Sequence, residues 1–177
     1  TYSAQIKEHE TRGVARKLSQ EEIDEWDGPI FYISHLAVEQ PKSESTPVRL
    51  VFNSSQTYRG VSMNSCLAKG PNAFNANLVG MLIRWREEWI VVMGDIKKMY
   101  NTVRLHIADQ HCHRFLWRGC DPNKPPEVWI ITRVNLGDKP SGTIAILAKN
   151  LTAGKYAYIC EEAAKILKDC TYTDEII

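Results

Sequence analysis

Residues 89–100 read WIVVMGDIKKMY, an apolar run that ends at Gly94 and Asp95 before a stretch with helical spacing. Five consecutive apolar residues, 89–93, are typical of a β-strand that is buried on both faces. The sequence therefore predicts a central strand with the carboxylate of Asp95 at its end. A buried, ionised carboxylate is costly unless it is compensated, and a divalent cation is one strong compensator. The alternative is that Asp95 only caps the following helix, since Asp is common at helix starts.

A pair of adjacent acidic residues lies in the segment 170–177, which reads CTYTDEII. Asp174 and Glu175 stand between two short β-prone stretches, as at the tip of a hairpin. Adjacent carboxylates repel each other, and this repulsion is tolerated in solvent or relieved by a cation. A solvated turn is the commoner explanation of such a pair. Spacing alone does not connect Asp174 with Asp95.

Upstream, two kinds of local signal predict a short helix and a small sheet. Ser19 and Glu22 have the spacing of a capping box, which predicts a helix through Trp26. Residues 30–38 and 48–52 are rich in β-branched and aromatic side chains. We therefore expect two strands of one sheet in these segments.

The segment after Gly70 and Pro71 has helical periodicity. Apolar residues recur over 72–89 with the spacing of one helix face, and the charges gather towards its C-terminal end. The sequence predicts one helix there.

The composition is that of one soluble globular domain, or of two lobes that share a core. The chain has 177 residues, of which 44% are hydrophobic and 24% are charged, and this length allows a substantial core. No run of about 18 apolar residues occurs and the first residues contain no apolar signal core, so we expect neither membrane insertion nor secretion. An intracellular location, cytoplasmic or nuclear, is the resulting expectation.

Net charge and cysteine content bear on two further classes of protein, nucleic-acid-binding domains and disulfide-bonded domains. The net charge of +1 lacks the strongly basic balance typical of nucleic-acid-binding domains. The five cysteines include no CxxC pair, which argues against a disulfide framework and favours reduced thiols.

A zinc site is one alternative interpretation of the His and Cys residues between 106 and 120. The candidates are His106, His111, Cys112, His113 and Cys120. Their spacing matches no standard zinc pattern, and alternation along a strand would direct neighbouring side chains to opposite faces. We therefore regard this alternative as weak.

Seven segments, taken in order, resemble the reverse transcriptase domain of BEL/Pao-type retrotransposons. They are FYISHLAV, PVRLVFNSS, GVSMNSCLAKGP, LIRWREEWIVVMGDIKKMY, HRFLW, NLGDKPSG and YTDE, and they extend from about residue 30 to residue 177. The resemblance implies an α+β right-hand polymerase fold with an antiparallel palm sheet packed on helices. It also implies an RNA-directed DNA polymerase, a nucleotidyltransferase encoded by a transposable element.

The resemblance also implies a division of the chain. Residues 1–28 would form a polar helical N-terminal extension, 29–88 the fingers, and 89–177 the palm, with a return to the fingers around 105–135. The chain would stop before the thumb, which a partner chain or further domains would supply. The implied partners are an RNA or DNA template-primer and deoxynucleoside triphosphates, without any membrane.

Catalysis and metal binding are assigned by the resemblance to Asp95, Asp174 and Glu175. Two Mg²⁺ ions, which Mn²⁺ could replace, would activate the primer 3′-hydroxyl and stabilise the leaving pyrophosphate. Carboxylate oxygens are the ligands that Mg²⁺ prefers.

Nucleotide binding is implied for five further residues: Lys42, Arg49, Ile96, Tyr100 and Gly137. Lys42 and Arg49 match basic residues that hold the triphosphate, although a solvated surface is the alternative for both. Tyr100 matches an aromatic residue that crowds the ribose 2′-hydroxyl, and a core contact is compatible with that role. Gly137 would allow close approach of the backbone beneath the nascent base pair.

Template or primer contacts are implied for Gly70, Pro71, Ser141 and Tyr172. Ser141 matches the start of a helix beneath the template. A helix start explains Gly70 and Pro71 equally well.

Three residues depart from the family pattern. Glu175 stands where the family usually has a second Asp, which displaces the charge by about 1 Å, and a misplacement of that size can reduce a rate about a hundredfold. Asn53 replaces an Asp, and Gly142 replaces a Pro. These departures keep open an alternative: a decayed or domesticated remnant that acts as a nucleic-acid or protein binding module.

Overall fold

The computed structural model describes residues 1–43, 47–71, 78–87 and 89–176. In chain order the elements are α1 (Tyr2–Thr11), β1 (Ala15–Lys17), α2 (Gln20–Asp24), β2 (Ser34–Glu39), β3 (Val48–Asn53), α3 (Met63–Cys66), α4 (Leu78–Arg84), β4 (Gly94–Asp95), a 3₁₀ helix (Met99–Thr102), α5 (Ile107–His111), β5 (Arg114–Trp117), β6 (Glu127–Ile131), α6 (Ser141–Lys155), α7 (Glu161–Asp169), β7 (Thr171–Tyr172) and β8 (Glu175–Ile176). The strands named here, all within the described residues, pair in antiparallel fashion. The structure is therefore a mixture of helices and antiparallel sheet, compatible with the α+β class.

The chain divides into two compact units. The first contains Thr1–Ala68 and Arg104–Lys139, and the second contains Lys69–Val103 and Pro140–Ile177. Residues 1–28 thus fold with the segment that follows them, and the described residues 69–71 and 78–87 fold with the second unit. Among the described residues, none of the helices combines the length and the apolar character needed to cross a bilayer.

The first unit is built on a three-stranded sheet in the order β1-β6-β5 and on the separate hairpin of β2 and β3. Helix α1 packs on β1 and β3. The rings of Phe52 and Phe115 meet edge to face at 5.0 Å. The buried core consists of Ile6, Ala15, Ile33, Phe52, Phe115, Trp129 and Ile131. Each large apolar side chain buried in this way contributes about 1.5–3 kcal/mol.

The predicted capping box is confirmed. Ser19 Oγ accepts a hydrogen bond from the Glu22 backbone N–H at 3.1 Å, and Glu22 Oε2 accepts one from the Ser19 N–H at 2.9 Å. The hydrogen bonds that Arg16 donates to Glu22 lower the pKa of that carboxyl to about 2. Helix α2 ends at Asp24, slightly before the predicted end at Trp26.

The two predicted strands of one sheet are also confirmed. They form the β2–β3 hairpin, in which Leu36 pairs with Val51 and Val38 pairs with Arg49. Strand β2 begins at Ser34, later than the predicted start at residue 30.

A cation is buried in the first unit without a carboxylate partner in the described part of the chain. Arg114 is 1% exposed, its Nη2 lies 2.7 Å from His111 Nδ1, and its Nε has no hydrogen-bond partner. Burial and then the charge of Arg114 lower the pKa of His111. The Trp26 ring stacks on His111 at 3.8 Å, so the imidazole is enclosed between an indole and a guanidinium.

The second unit contains a short three-stranded sheet in the order β4-β8-β7, together with α4, α6, α7 and the 3₁₀ helix. Its buried cluster comprises Met99, Ala145 and Ile146, with Ile96 and Tyr100 packed against it. Helix α6 therefore packs on the segment that follows Asp95. Of the helix predicted over 72–89, the structure shows α4, while residues 72–77 and 88 lie outside the described residues.

The prediction of a doubly buried strand over residues 89–93 is wrong. Only Gly94 and Asp95 are in a strand, and Trp89, Ile90 and Val92 are each at least 81% exposed. Apolar composition alone does not supply a pairing strand: in the described part of the chain, β8 pairs with β4 at Gly94 and Asp95 only.

Candidate active site

The short sheet of the second unit brings together acidic residues from two distant segments. Asp95 of β4 pairs directly with Glu175 of β8, and Glu175 pairs in turn with Tyr172 of β7. Residues directly opposite each other in antiparallel strands have side chains on the same face. Asp95, Glu175 and Tyr172 therefore form a row across three strands.

Asp174 joins this row through the backbone. The Ile96 N–H donates a hydrogen bond to the Asp174 carbonyl at 2.8 Å, which ties the residue after Asp95 to the turn between β7 and β8. Thr173, the other turn residue, has a φ of 56°, a conformation that is a genuine outlier for a β-branched residue. The hairpin predicted around Asp174 and Glu175 is present, with Asp174 in the turn, whereas Glu175 is already the first residue of the returning strand.

The acidic side chains are accessible. Asp95 and Glu175 are exposed and Asp174 is half-buried, so Asp95 does not lie at the end of a buried strand as expected. Nor does it cap a helix, since the 3₁₀ helix begins after Lys98 without a side-chain cap. Within the described ranges, no three His, Cys, Asp or Glu side chains are arranged to hold one metal ion.

Tyr100 lies close to this acidic row. Burial, and then the negative charge of Asp174, raise the pKa of the Tyr100 phenol above its ordinary value. The ring also packs on the cluster of Met99 and Ala145. The core contact predicted for Tyr100 is thus present, while its role at a ribose stays a prediction.

Gly70 and Pro71 are fixed to the first turn of α6. The Thr143 hydroxyl donates to the Pro71 carbonyl at 3.1 Å. Gly70 has a φ of +78°, and a Cβ there would lie 3.3 Å from Thr143 Cγ2. Ser141 is buried and is the first residue of α6, as predicted.

Gly137 lies close to the backbone of β3. A Cβ at this position would lie 2.8 Å from the carbonyl oxygen of Phe52 in β3. Asn64 Nδ2 donates to the Gly137 carbonyl at 3.0 Å. The loop after β6 therefore packs directly on β3, and any contact of Gly137 with a nucleotide stays a prediction.

The two basic residues expected to bind triphosphate belong to the β2–β3 hairpin of the first unit. Arg49 lies on β3 and is exposed. Lys42 is exposed in the turn after β2, and residues 44–46 beyond it lie outside the described part of the chain. Both cations are available to a ligand.

Sequence reasoning missed a buried polar network in the first unit. Asp138 Oδ2 lies 2.8 Å from His113 Nε2, and Asp138 Oδ1 accepts hydrogen bonds from Ser54 Oγ at 2.5 Å and Asn135 Nδ2 at 3.0 Å. Each polar side chain is buried and has a partner, so the arrangement is a structural cross-link between β3, β5 and the loop after β6. No local spacing signals it, because Ser54 and Asp138 are 84 positions apart.

The residues of the zinc alternative occupy separate environments. His111 stacks on Trp26, His113 pairs with Asp138, and the side chain of His106 caps α5. All five cysteines of the chain are free thiols.

The second unit also has a cavity of about 780 Å³ between α6, α7 and the 3₁₀ helix. Its wall is mainly apolar and includes Ile96, Met99 and Lys149. Burial lowers the pKa of Lys149, and the charge of Asp169 opposes this shift. None of the three acidic residues lines this cavity.

No protein-family model matches this chain, and no curated protein matches it. The resemblance to reverse transcriptases therefore rests on the motifs quoted above.

Proposed function

We propose that this chain is the fingers-and-palm part of a retrotransposon-type RNA-directed DNA polymerase with a right-hand fold. One observation carries the proposal: the β4–β8 pairing sets Asp95 opposite Glu175, with Asp174 beside them. Nothing in the local sequence connects these segments. The motif resemblance implies such a juxtaposition, and the observed pairing supports the proposal.

The chemistry of the acidic row suits divalent cations. Like charges directly opposite each other on neighbouring strands destabilise a sheet, and a cation between Asp95 and Glu175 would remove that repulsion. Hard carboxylate oxygens are the ligands that Mg²⁺ and Mn²⁺ take. Because Asp95 and Glu175 are exposed, their side chains can rotate between staggered conformers to reach one ion.

Each residue has a defined task in this proposal. Asp95, Asp174 and Glu175 would hold two Mg²⁺ ions, which would supply Lewis-acid stabilisation of negative charge on the attacking and leaving oxygens. Tyr100, near Asp174, would restrict the sugar of the incoming nucleotide. Phosphate binding by the exposed guanidinium of Arg49 stays a separate prediction for the first unit.

Primer extension on an RNA template, with Mg²⁺ or Mn²⁺ and deoxynucleotides, tests the proposal. We expect extension by the parent, its loss in Asp95→Asn, and a gain in Glu175→Asp because the shorter side chain restores the paired-Asp arrangement. Glu162→Gln, which removes an exposed carboxylate of α7, is the matched control and should extend like the parent. If the parent and Glu175→Asp are both folded and both inactive, polymerisation by this chain is refuted.

The alternative function is a binding module without polymerase activity. It is favoured by Glu175, whose extra methylene displaces one carboxylate in a reaction that depends on positioning. Inactivity of parent and Glu175→Asp, combined with retained binding of a template strand, would select this alternative.

A further inference from the structure

The cavity of about 780 Å³ in the second unit owes its space to small side chains on two helices. Five alanines of α6 and α7 line it: Ala145, Ala148, Ala153, Ala163 and Ala164. Longer side chains at these positions would fill the space between the helices. The volume falls within the range of about 300–1,000 Å³ that is usual for ligand sites.

Aliphatic side chains form most of the rest of the cavity wall. They include Ile96, Val103 and Leu167, and Tyr156 is the one aromatic residue that the described part of the chain contributes. Such a wall offers few flat faces for stacking a planar ligand, whereas it buries a hydrocarbon chain well. The cavity therefore suits an aliphatic ligand better than an aromatic one.

One cation stands in this apolar wall. Burial lowers the pKa of Lys149, so the ammonium group is partly removed from water, and the charge of Asp169 does not fully offset this effect. Within the described residues no carboxylate lies at ion-pair distance from this ammonium group. A positive charge in apolar surroundings is stabilised by an anion that reaches it.

The two threonines of the wall donate their hydroxyl protons to the backbone. The Thr152 hydroxyl donates to the Ala148 carbonyl at 2.8 Å, and the Thr102 hydroxyl donates to the Met99 carbonyl at 2.6 Å. Lys149 therefore carries the main side-chain donor that the described wall offers to a ligand. A matching ligand has one anionic end, which accepts hydrogen bonds, and an apolar remainder.

We propose that this cavity binds the free anion of a long-chain fatty acid. The hydrocarbon chain lies among the alanines of α6 and α7, and the carboxylate accepts a hydrogen bond from the Lys149 ammonium group. A neutral ligand would leave that ammonium group without a counter-charge, and a cationic ligand would be repelled by it. The inference goes beyond the proposed polymerase, since neither the acidic row nor a metal ion takes part in this binding.

Isothermal titration calorimetry of the full chain with sodium laurate, below the micelle concentration, tests this proposal. We expect saturable binding to one site. Dodecyltrimethylammonium has a tail of the same length and the opposite charge, and it should bind at least about tenfold more weakly than laurate because it lacks the charge-assisted hydrogen bond to Lys149.

Three variants localise the binding of laurate. Lys149→Met keeps the apolar wall and should bind laurate at least about tenfold more weakly than the parent. Lys165→Met is the matched control, because it removes an exposed lysine of α7 that is not part of the wall, and it should change binding by less than about twofold. Ala148→Leu places a larger side chain in the cavity and should abolish saturable binding.

Alkylation of cysteines by iodoacetamide, followed by peptide mass spectrometry, locates the bound laurate independently. Cys160 is exposed and belongs to the cavity wall. Saturating laurate should therefore slow the alkylation of Cys160 in the parent. Cys120 is the internal control, since it is also exposed but lies in the first unit, and its alkylation rate should not change.

Several outcomes would overturn the proposal. They are parent-like laurate binding by Lys149→Met, equal losses in Lys149→Met and Lys165→Met, and equal affinity of the parent for laurate and for dodecyltrimethylammonium. A folded parent that does not bind laurate but self-associates, and that becomes monomeric in Ala148→Leu, would assign the cavity to a second copy of the chain. Urea unfolding shows which variants are folded, and Lys149→Met decides alone if Ala148→Leu is not.

Discussion

His113 Nε2 lies 2.8 Å from Asp138 Oδ2, and the two side chains are 4% and 5% exposed. Burial by itself would lower the pKa of His113, but the hydrogen bond and charge of Asp138 outweigh it and raise that pKa above its ordinary value. Burial would likewise raise the pKa of Asp138, yet the contacts of His113, Ser54 and Asn135 lower it. His113 and Asp138 therefore form an ion pair over the range of pH in which the imidazole is protonated and the carboxyl is ionised.

We predict that His113→Gln destabilises the protein most between about pH 4 and about pH 6.5. Below the unfolded pKa of His113 the stability from its raised pKa is fully present, and it is lost as pH rises through the folded pKa. The contribution of Asp138 is present above its unfolded pKa and is lost at lower pH. Within the window we expect a loss of about 2–3 kcal/mol, measured as the difference in urea unfolding between variant and parent.

A double-mutant cycle is the control for this pH dependence. In an Asp138→Asn background the effect of His113→Gln should lose its maximum between about pH 4 and about pH 6.5, because burial alone lowers the pKa of His113 and the neutral imidazole then loses stability as pH falls. His111 responds in the opposite direction, because its lowered pKa makes stability fall as pH decreases below its unfolded value, but this contribution cancels in the comparison. The same loss at pH 5 and above pH 8 would contradict the ion-pair assignment.

Replacing Arg114 with Met should stabilise the first unit, by about 1 kcal/mol or more. Among the described residues, the buried guanidinium has one hydrogen-bond partner, the imidazole of His111, and its Nε has none. Met is apolar and of similar volume. The same variant should raise the pKa of His111, since a neighbouring cation is removed.

Urea unfolding and NMR titration of the histidine rings measure these two effects of Arg114→Met. Arg114→Ala is the companion variant and should destabilise, because it leaves a cavity. Destabilisation by both variants would mean that the guanidinium makes a net favourable contribution.

Substitution by alanine should lower stability at Gly137 but not at Gly94. Gly137→Ala would place a methyl 2.8 Å from the Phe52 carbonyl oxygen, a backbone atom that cannot rotate away, and overpacking of this kind costs about 1–3 kcal/mol. Gly94→Ala meets only Ile176 side-chain atoms at 3.7 Å and beyond, an ordinary contact. The urea unfolding midpoints of the two variants measure this difference in stability. Equal midpoints would show that the loop after β6 moves freely away from β3.

The sequence correctly predicted those elements that are formed by contacts between residues close together in the chain. The capping box of Ser19 and Glu22 and the β2–β3 hairpin depend on residues close in the chain. Residues 89–93 show the limit of such signals. The hydrophobicity of these residues predicted burial. Burial requires another strand or helix that packs against them, and no local sequence pattern specifies such a partner.

The candidate site illustrates the same limit. Spacing does not connect Asp95 with Glu175, and only the order of motifs led us to expect them together. No sequence motif indicates the network of Ser54, Asp138 and His113. The sequence therefore suggested only a zinc-ligand role for His113. Long-range polar contacts of this kind depend on tertiary packing.

Replacing Thr173 with Gly should stabilise the second unit. Thr173 has a φ of 56° in the turn before Asp174, and a left-handed conformation costs a residue with a Cβ roughly 1–2 kcal/mol. Part of this gain is lost to the greater entropy of unfolded Gly, so we expect a net increase of about 0.5–1 kcal/mol. Thr152→Gly within α6 is the control and should destabilise, because its backbone is helical. If Thr173→Gly raises the urea midpoint but lowers primer extension, the strained turn serves to direct Asp174. If stability falls, the turn is not strained and the prediction is wrong.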